Sequence, residues 1–316
     1  MAIRLPDVFI SLDMGGTKIY GMVNGADGAA LFEQTVPTCA GADAYAQLTR
    51  LIDTLLDEAR QLGRDVRGIG LGVPGMTADG RVIAAPALGW LDEPVGERLQ
   101  SRFRLPVVVE NDVNLAALGE YGFGAAQGAS SLICVAVGTG IGSGIVIDGR
   151  LHRGAHHSAG EIGYMVVDPA QMAASFSSAD FGAFEQLASG SGLAARARQL
   201  LPDGTDTDGI TAESVVAAAL GGETWARQVV DETARTLAQG LTNVVAVLDP
   251  EVIVLTGGVM REPALFVEPI SEHMRRLIPF QPRIVASTLG PRATALGATV
   301  LLTATLADTP GQQETN

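Results

Sequence analysis

Cysteine is almost absent from this sequence. Among 316 residues there are two cysteines, Cys39 and Cys134, and they lie far apart in the chain. Two distant thiols can supply neither a disulfide framework nor a thiolate metal cage. This usage is typical of a protein in a reducing compartment, so we expect a cytoplasmic location.

Basic residues and long apolar runs are also scarce. Lys and Arg total 21 against 35 Asp and Glu, which gives a formal net charge of −14. Such a chain has no long-range attraction for phosphate backbones or anionic lipid. No uninterrupted apolar run approaches the ~18 residues of a membrane span, and Met1–Asp7 lacks the apolar stretch of a secretion signal. The sequence therefore predicts neither a nucleic-acid partner nor a membrane partner.

Lysine is the rarest basic residue. Twenty of the 21 basic positions are Arg, and the single lysine, Lys18, lies in a glycine-rich turn. A base-composition bias in the coding sequence accounts for the excess of Arg, but not for the position of this one lysine.

The length favours two domains, and the chain repeats one pattern. Two strand pairs with glycine-rich tips, at residues 8–23 and 131–147, are each followed by helices, which predicts an internal duplication of one α/β unit. We place one domain at residues 1–114 together with a C-terminal helix at 293–316, and the other at 115–292.

Helical spacing of apolar residues predicts a helix at residues 44–62 and one continuous helix at residues 184–200. The segment around Trp90 is polar and is expected to be a loop.

The tip of the first strand pair reads Asp13-Met14-Gly15-Gly16-Thr17-Lys18. Glycines let backbone N–H groups approach an anion closely, and Thr17 and Lys18 add donors for phosphate oxygens. Asp13 can hold Mg²⁺ directly or through water. The same residues also fit an ordinary tight hairpin that uses glycine for positive φ, and the motif alone does not decide between the two.

Two further glycine-rich turns follow strands. The tip Gly138-Thr139-Gly140-Ile141-Gly142-Ser143-Gly144 has neither the dinucleotide-binding nor the Walker spacing. Because alternating glycines cost backbone entropy, a second phosphate-binding hairpin is favoured over a merely flexible turn. Gly257-Gly258 comes after an apolar strand and could let a purine lie against the backbone, or could simply be the entry to a helix.

Asp112 ends one strand and starts a helix. Asp is a favoured N-cap residue, so a capping role is one interpretation. The other is a general base aimed at a hydroxyl group.

Taken in order, these four places resemble the ATPase fold shared by sugar kinases, actin and the 70-kDa heat-shock proteins. That fold is a two-lobed α/β architecture, actin-like and ribonuclease H-like, with duplicated α/β domains around a cleft. Within it, the chain resembles the ROK family of bacterial sugar kinases and sugar-responsive repressors from about residue 8 to residue 303. The matching motifs are Asp13–Lys18, Glu110-Asn111-Asp112-Val113-Asn114, the alternating-glycine turn, Gly160-Glu161-Ile162-Gly163 and Thr256-Gly257-Gly258.

The resemblance implies ATP-dependent phosphorylation of a hexose, glucose or a related amino hexose, at its 6-hydroxyl, with Asp112 as the base and Mg²⁺ near Asp13. It also implies a homodimer that pairs through helices of the 115–292 domain. The residues expected to contact sugar are Asn111, Glu161, Tyr164 and Glu185. Those expected to hold phosphates are Gly15, Gly16, Thr17, Lys18, Gly138, Thr139 and Gly140, and those near adenosine are Gly257 and Gly258.

The chain departs from the family pattern at several positions. Tyr164 stands where the family usually has a His, and Ala87 where it often has an Asn near the sugar. Phe176, Ser178 and Ala183 occupy the places of three zinc-binding cysteines, and Phe and Ala cannot ligate a metal. We therefore predict that the structural zinc is absent.

Two other functions in the same family stay open. One is a sugar-sensing repressor, although about seven residues precede the first strand, too few for the DNA-binding domain such members add, and the charge is acidic. The other is a pseudokinase that binds sugar without turnover, which the presence of Asp13, Lys18 and Asp112 disfavours. The sequence leaves open which sugar is bound and whether ATP or polyphosphate is the donor.

Overall fold

The structure is a computed structural model that describes residues 7–39, 41–173, 182–201 and 207–308. Its strands, in chain order, are β1 (Val8–Met14), β2 (Lys18–Asn24), β3 (Ala30–Pro37), β4 (Val66–Val73), β5 (Met76–Ala78), β6 (Arg81–Ala85), β7 (Trp90–Glu93), β8 (Val107–Asn111), β9 (Ser131–Val137), β10 (Ile141–Ile147), β11 (Arg150–Leu151), β12 (Val252–Thr256) and β13 (Arg283–Ala286). Its α-helices are α1 (Ala42–Gln61), α2 (Val95–Phe103), α3 (Asp112–Phe123), α4 (Ala183–Ala188), α5 (Gly190–Leu200), α6 (Ala212–Leu220), α7 (Thr224–Leu248), α8 (Val267–Arg275) and α9 (Ala293–Asp308).

The chain divides into two units. The first comprises Met1–Gln127, Leu151–Ser158 and Pro291–Asn316, and the second Gly128–Arg150 and Ala159–Gly290. The first segment of the first unit runs to Gln127 and not to the boundary expected at residue 114, because α3 packs against α9 within this unit. The short return of the chain at 151–158 was not expected from the sequence.

Each unit is built on a five-stranded sheet. The order is β3-β2-β1-β4-β8 in the first and β11-β10-β9-β12-β13 in the second. In both, an antiparallel hairpin (β1–β2 or β9–β10) is extended by parallel strands on the other side of its first strand. The two sheets therefore repeat one topology, and the predicted duplication is confirmed.

Burial follows position in the sheet. β1 is central and is buried almost throughout, whereas the edge strand β3 alternates between half-buried and exposed residues. A sheet covered on both faces needs continuous apolar central strands, and an edge strand with one wet face needs alternation. In the first unit, α1 packs against β1 and β2, and α9 packs against β1 and β4.

The segment around Trp90 is not the expected loop. β5, β6 and β7 form a separate three-stranded antiparallel sheet in the first unit, and the Trp90 side chain is buried. These strands are three to five residues long, too short for alternation to be recognised among polar residues.

The helix expected at residues 184–200 is two helices. Ser189 between them is extended, with φ −78° and ψ 176°, and its hydroxyl accepts a hydrogen bond from the Gly192 backbone N–H at 3.3 Å, which caps α5. The Gly190 N–H donates to the Gly138 carbonyl at 2.8 Å. The break therefore brings the start of α5 against the second glycine-rich turn.

Along the described part of the chain, no helix combines the length and the apolar character needed to cross a bilayer.

Helices α3 and α9 approach each other closely through glycine. A Cβ atom on Gly297 would lie 1.7 Å from the Leu115 carbonyl oxygen, and one on Gly119 would lie 2.1 Å from the Ala293 carbonyl oxygen. These are backbone atoms, so no side-chain rotation could relieve the overlap. At the same contact, the Thr294 hydroxyl donates to the Asp112 carbonyl at 3.2 Å. The packing of α9 thus helps to set where α3 begins.

We expect Gly297→Ala to destabilise the protein by about 3 kcal/mol or more, at the upper end of the usual cost of overpacking, because the helices must separate. The measurement is the urea midpoint of unfolding. Gly221→Ala is the control, because Gly221 has φ −67° and an added Cβ would meet only ordinary contacts, the nearest at 3.4 Å. If the urea midpoints of Gly297→Ala and Gly221→Ala were equal, the close approach of α3 and α9 at Gly297 would be contradicted.

Candidate active site

The end of β8 carries the cap of the next helix. Asn111 is the N-cap of α3, and its Oδ1 accepts hydrogen bonds from the backbone N–H groups of Val113 at 2.9 Å and Asn114 at 3.0 Å. Its Nδ2 donates to the Gly75 carbonyl at 3.0 Å. The capping role, which was one interpretation of Asp112, therefore belongs to Asn111. The second Nδ2 hydrogen of Asn111 could be donated to a sugar hydroxyl.

Asp112 is the first residue of α3. It is half-buried, and its Oδ1 accepts from the Val113 N–H at 2.9 Å. A carboxylate at a helix N-terminus is stabilised by the helix dipole. Because Asn111 supplies the cap, the Asp112 carboxylate is not required for it.

Asp13 lies at the carboxyl end of β1, in the same unit as Asp112. Burial and the charge of Asp112 raise the pKa of Asp13 to about 7, and Lys18 offsets this only in part. The carboxylate of Asp13 is therefore disfavoured in its charged form, first by burial and then by the charge of Asp112, and Lys18 compensates for this only in part. This is a place where a bound cation would be favoured.

These carboxylates fit magnesium. Mg²⁺ prefers oxygen ligands and is commonly held by one or two carboxylates together with water and substrate phosphates. Within the described residues, no group of three His, Cys, Asp or Glu side chains could hold a metal by itself. Phosphate oxygens or water would therefore have to complete the coordination at Asp13.

The tip of the first hairpin presents its backbone to solvent. The Gly15 N–H donates to the Lys18 carbonyl at 2.9 Å, and the Thr38 hydroxyl donates to the Gly15 carbonyl at 2.7 Å. Gly16, Thr17 and Lys18 between these contacts are exposed. The turn is braced at its base, and its outer residues stay accessible for an anion.

In the second unit, residues from separate motifs line one cavity of about 450 Å³. Its lining includes Gly138 and Thr139 at the tip of β9–β10, Gly190 and Glu213 near the starts of α5 and α6, and Gly258 after β12. A cavity of this size lies within the usual range for small-molecule sites. The structure thus brings Gly258 beside Gly138 and Thr139, from which it is separated by more than a hundred residues in the sequence.

Gly257 makes the close approach of these turns possible. Its φ is +99°, and a Cβ there would lie 2.4 Å from the Val137 carbonyl oxygen at the end of β9. Only glycine fits this backbone position. Gly257 therefore holds the β12 turn against the end of the neighbouring strand.

The carboxylates expected to contact sugar in this unit have different surroundings. Glu185 Oε1 accepts from the Gly182 N–H at 2.7 Å, and its Oε2 accepts from the Ile141 N–H at 2.9 Å. Partial burial and the nearby charge of Glu185 raise the pKa of Glu161, which stays accessible to solvent. Glu185 thus braces the start of α4 against β10, while Glu161 is the more available of the two. Tyr164 is 54% exposed.

Several site residues escaped the sequence analysis. Ser191, Ala194, Arg198 and Glu213 line the cavity of the second unit, and no local motif marks them. The run of small residues Ser189-Gly190-Ser191-Gly192 could have indicated this part of the cavity, because small residues permit close contact with a glycine-rich turn such as the one at Gly138. Of the three places expected to have lost zinc ligands, Phe176 and Ser178 lie outside the described residues, and Ala183 is the buried first residue of α4.

The chain matches the model of the ROK family over residues 9–305. It is 33% identical over 311 residues to a glucokinase of Streptomyces coelicolor, which covers 92% of this chain and 95% of the relative. It is also similar to the crystal structure of a ROK family glucokinase from Streptomyces griseus in complex with glucose and AMPPNP, with 34% identity, a TM-score of 0.76 and coverage of 93% of this chain and 98% of that one. The expected actin-like, ribonuclease H-like fold is thereby confirmed.

Regulators are related to this chain as well. A xylose repressor of Caldicellulosiruptor bescii is 31% identical over 310 residues, which cover 93% of this chain and 77% of the repressor. Similarity to kinases and repressors together makes the chemistry of the site, rather than the fold, decisive for function.

The raised pKa of Asp13 predicts a pH-dependent stability. Folding raises this pKa from 3.8 to about 7, so the folded protein holds the proton more tightly than the unfolded chain. The resulting stabilisation is present below pH 4 and is lost as the pH rises through 7. Asp13→Asn should therefore raise the melting temperature in metal-free buffer by several degrees at pH 8, and by less at pH 5. The control is Asp27→Asn, which changes an exposed carboxylate in a turn. An effect of Asp13→Asn that is the same at both pH values would contradict the raised pKa.

Proposed function

The chain belongs to the ROK family as an ATP-dependent sugar kinase, and from that premise we propose that it phosphorylates a hexose, glucose or a related amino hexose, at the 6-hydroxyl, with Asp112 as general base. The observation that carries this proposal is that the two residues at the end of β8, Asn111 and Asp112, have different roles. Asn111 caps α3, while Asp112 interacts with Asp13 at the carboxyl edge of the sheet.

In this reaction the Asp112 carboxylate accepts the proton of the sugar 6-hydroxyl as the oxygen attacks the terminal phosphorus of ATP. The new O–P bond forms while the bond from that phosphorus to the bridging oxygen breaks, and ADP leaves. Phosphoryl transfer depends on alignment and charge neutralisation more than on covalent help from the protein. Mg²⁺ bound near Asp13 would neutralise charge on the phosphates.

In this proposal the nucleotide binds to the glycine-rich turns described above. Gly15, Gly16, Thr17 and Lys18 would hold phosphates, as would Gly138, Thr139 and Gly140. Gly257 and Gly258 would lie near adenosine. The cavity of about 450 Å³ beside Gly138 and Gly258 has the size for a nucleoside. The related Streptomyces griseus glucokinase in complex with AMPPNP supports ATP as the donor.

Sugar recognition is proposed for Asn111, Glu161, Tyr164 and Glu185. Polar groups held ready for hydroxyls select a sugar because a missing hydroxyl leaves them unpaired. Glu161 is accessible and Glu185 has one lone pair left on each oxygen beyond its backbone bonds. Both can therefore still accept from a sugar.

We further propose a cytoplasmic homodimer without nucleic-acid or membrane partners. The acidic net charge of −14 and the scarcity of cysteine support the location and the absence of those partners. Relatives of known activity support the sugar and ATP as ligands.

The test is a coupled assay of ADP release with Mg-ATP and a panel of hexoses and aminohexoses. ADP should appear only when a hexose is present, and Asp112→Asn should lower turnover by roughly 10²–10⁴-fold, the usual contribution of a general base. Hexose binding measured by calorimetry should be largely retained, because the change removes a charge and not the volume of the side chain.

Asp43→Asn is the matched control, since Asp43 is also an acidic residue in the first turn of a helix and is exposed. It should leave turnover unchanged. Near-normal turnover in Asp112→Asn would exclude Asp112 as the base. Hexose binding by the unaltered protein without any ADP release would favour the alternative function, a sugar-binding regulator or pseudokinase.

We also propose that the protein holds no structural zinc. Ala183 is buried at the start of α4 and offers no ligand atom, and Phe176 likewise has none. Elemental analysis of the purified protein should find zinc well below one atom per chain, whereas one zinc per chain would refute the proposal. Dialysis against a chelator should leave the melting temperature unchanged.

A further inference from the structure

A buried carboxylate lies directly before the Asn111-Asp112 turn. Glu110 is 4% exposed at the end of β8. Its Oε1 accepts from the Asn111 N–H at 2.9 Å and from Asn114 Nδ2 at 3.0 Å. It also accepts from the Thr77 hydroxyl at 3.1 Å. Glu110 therefore holds both the strand end and the first turn of α3.

The other oxygen of Glu110 is paired with a cation from a distant part of the chain. Arg153 Nε donates to Glu110 Oε2 at 2.6 Å. Arg153 belongs to the segment 151–158, which returns to the first unit between two stretches of the second. The proposed mechanism makes no use of this pair, although Glu110 lies two residues before the proposed base, Asp112.

Electrostatics explains why Glu110 is paired with Arg153. Burying an unpaired carboxylate is costly, and removing one partner of a buried ion pair leaves the other charge uncompensated. Without Arg153, the Glu110 carboxylate would be driven to turn toward water. That movement would alter its hydrogen bonds to Asn111 and Asn114, and with them the start of α3.

We propose that Glu110 and Arg153 are positioning residues for the phosphoryl transfer, which fix the direction of the Asp112 carboxylate through the Asn111-Asp112 turn. The inference rests on the proposed function of Asp112. Neither residue needs to touch substrate for this role. A small displacement of a reacting group is enough to slow the reaction strongly.

A cavity of about 500 Å³ makes the proposal testable by chemical rescue. Glu110, Arg153, Thr77 and His157 are among the residues that line it. The Arg153 side chain is 36% exposed. A small cation could therefore reach Glu110 from solvent when the Arg153 side chain has been removed.

The experiment compares Arg153→Ala with the unaltered protein in the coupled ADP assay. We expect kcat to fall roughly tenfold to a hundredfold, the scale of a misplacement of about 1 Å, while the KM values for hexose and ATP change little. Millimolar ethylguanidinium should restore part of the lost kcat, because it can pair with Glu110 in place of the missing side chain. Arg153→Lys, which keeps a cation there, should have a kcat between those of the Ala variant and the unaltered protein.

Arg102→Ala is the matched control. Arg102 pairs with Asp53 at 2.8 Å on the surface of the same unit, with both side chains about half exposed. This variant should keep its kcat and should not respond to ethylguanidinium.

Circular dichroism melts show whether each variant is folded at the assay temperature. If Arg153→Ala does not fold, the test relies on Arg153→Lys. A normal kcat in that variant together with a lower melting temperature would show a purely structural role and overturn the proposal.

Three results for a folded Arg153→Ala would overturn it as well: an unchanged kcat, a change in KM alone, or a lowered kcat that ethylguanidinium does not restore. In each case, hexose-dependent ADP release by the unaltered protein would still support the proposed function. Absence of that release in the unaltered protein would overturn both.

Discussion

The first unit places the buried carboxylate of Asp13 near the charge of Asp112, and this electrostatic constraint distinguishes the site. β1 and β8 run parallel, separated by β4, so their carboxyl ends meet at one edge of the sheet. Each ends in or beside an acidic residue. Burial of Asp13, together with the charge of Asp112, raises the pKa of Asp13 on folding, and Lys18 offsets part of that rise. Such a site is poorly suited to a role in stability alone, and well suited to a ligand that brings positive charge.

The rest of the first unit holds this unfavourable pair in place. Gly119 and Gly297 let α3 and α9 approach until backbone atoms nearly touch, and Thr294 at the start of α9 binds the Asp112 carbonyl. From the other side, Glu110 binds the first turn of α3. Close packing of α9 and the pairing of buried Glu110 with Arg153 thus fix the turn that carries the Asp112 carboxylate.

The second unit has the same sheet topology but different residues at the ends of its strands. Gly257 brings the turn after β12 against the end of β9, beside a cavity that Gly138 and Gly258 line, and Glu185 accepts from the Ile141 N–H at the start of β10. The duplicated sheet therefore supplies two similar strand ends whose chemistry differs. In the first unit two acidic residues, Asp13 and Asp112, lie at the strand ends, whereas in the second the turns after the strands line a cavity.

The sequence by itself was enough to predict the duplicated α/β fold, the hairpins and their glycine-rich tips, because these depend on local patterns of apolar residues and glycines. It also singled out Asp13 and Asp112. It could not decide that Asn111 rather than Asp112 caps α3, since both residue types cap helices and only the geometry of the turn distinguishes them. Nor could it show the break at Ser189, the sheet around Trp90, the boundary beyond α3 or the pairing of Glu110 with Arg153. Each of these depends on contacts between residues distant in the chain, and the energy of such contacts is absent from any local pattern of the sequence.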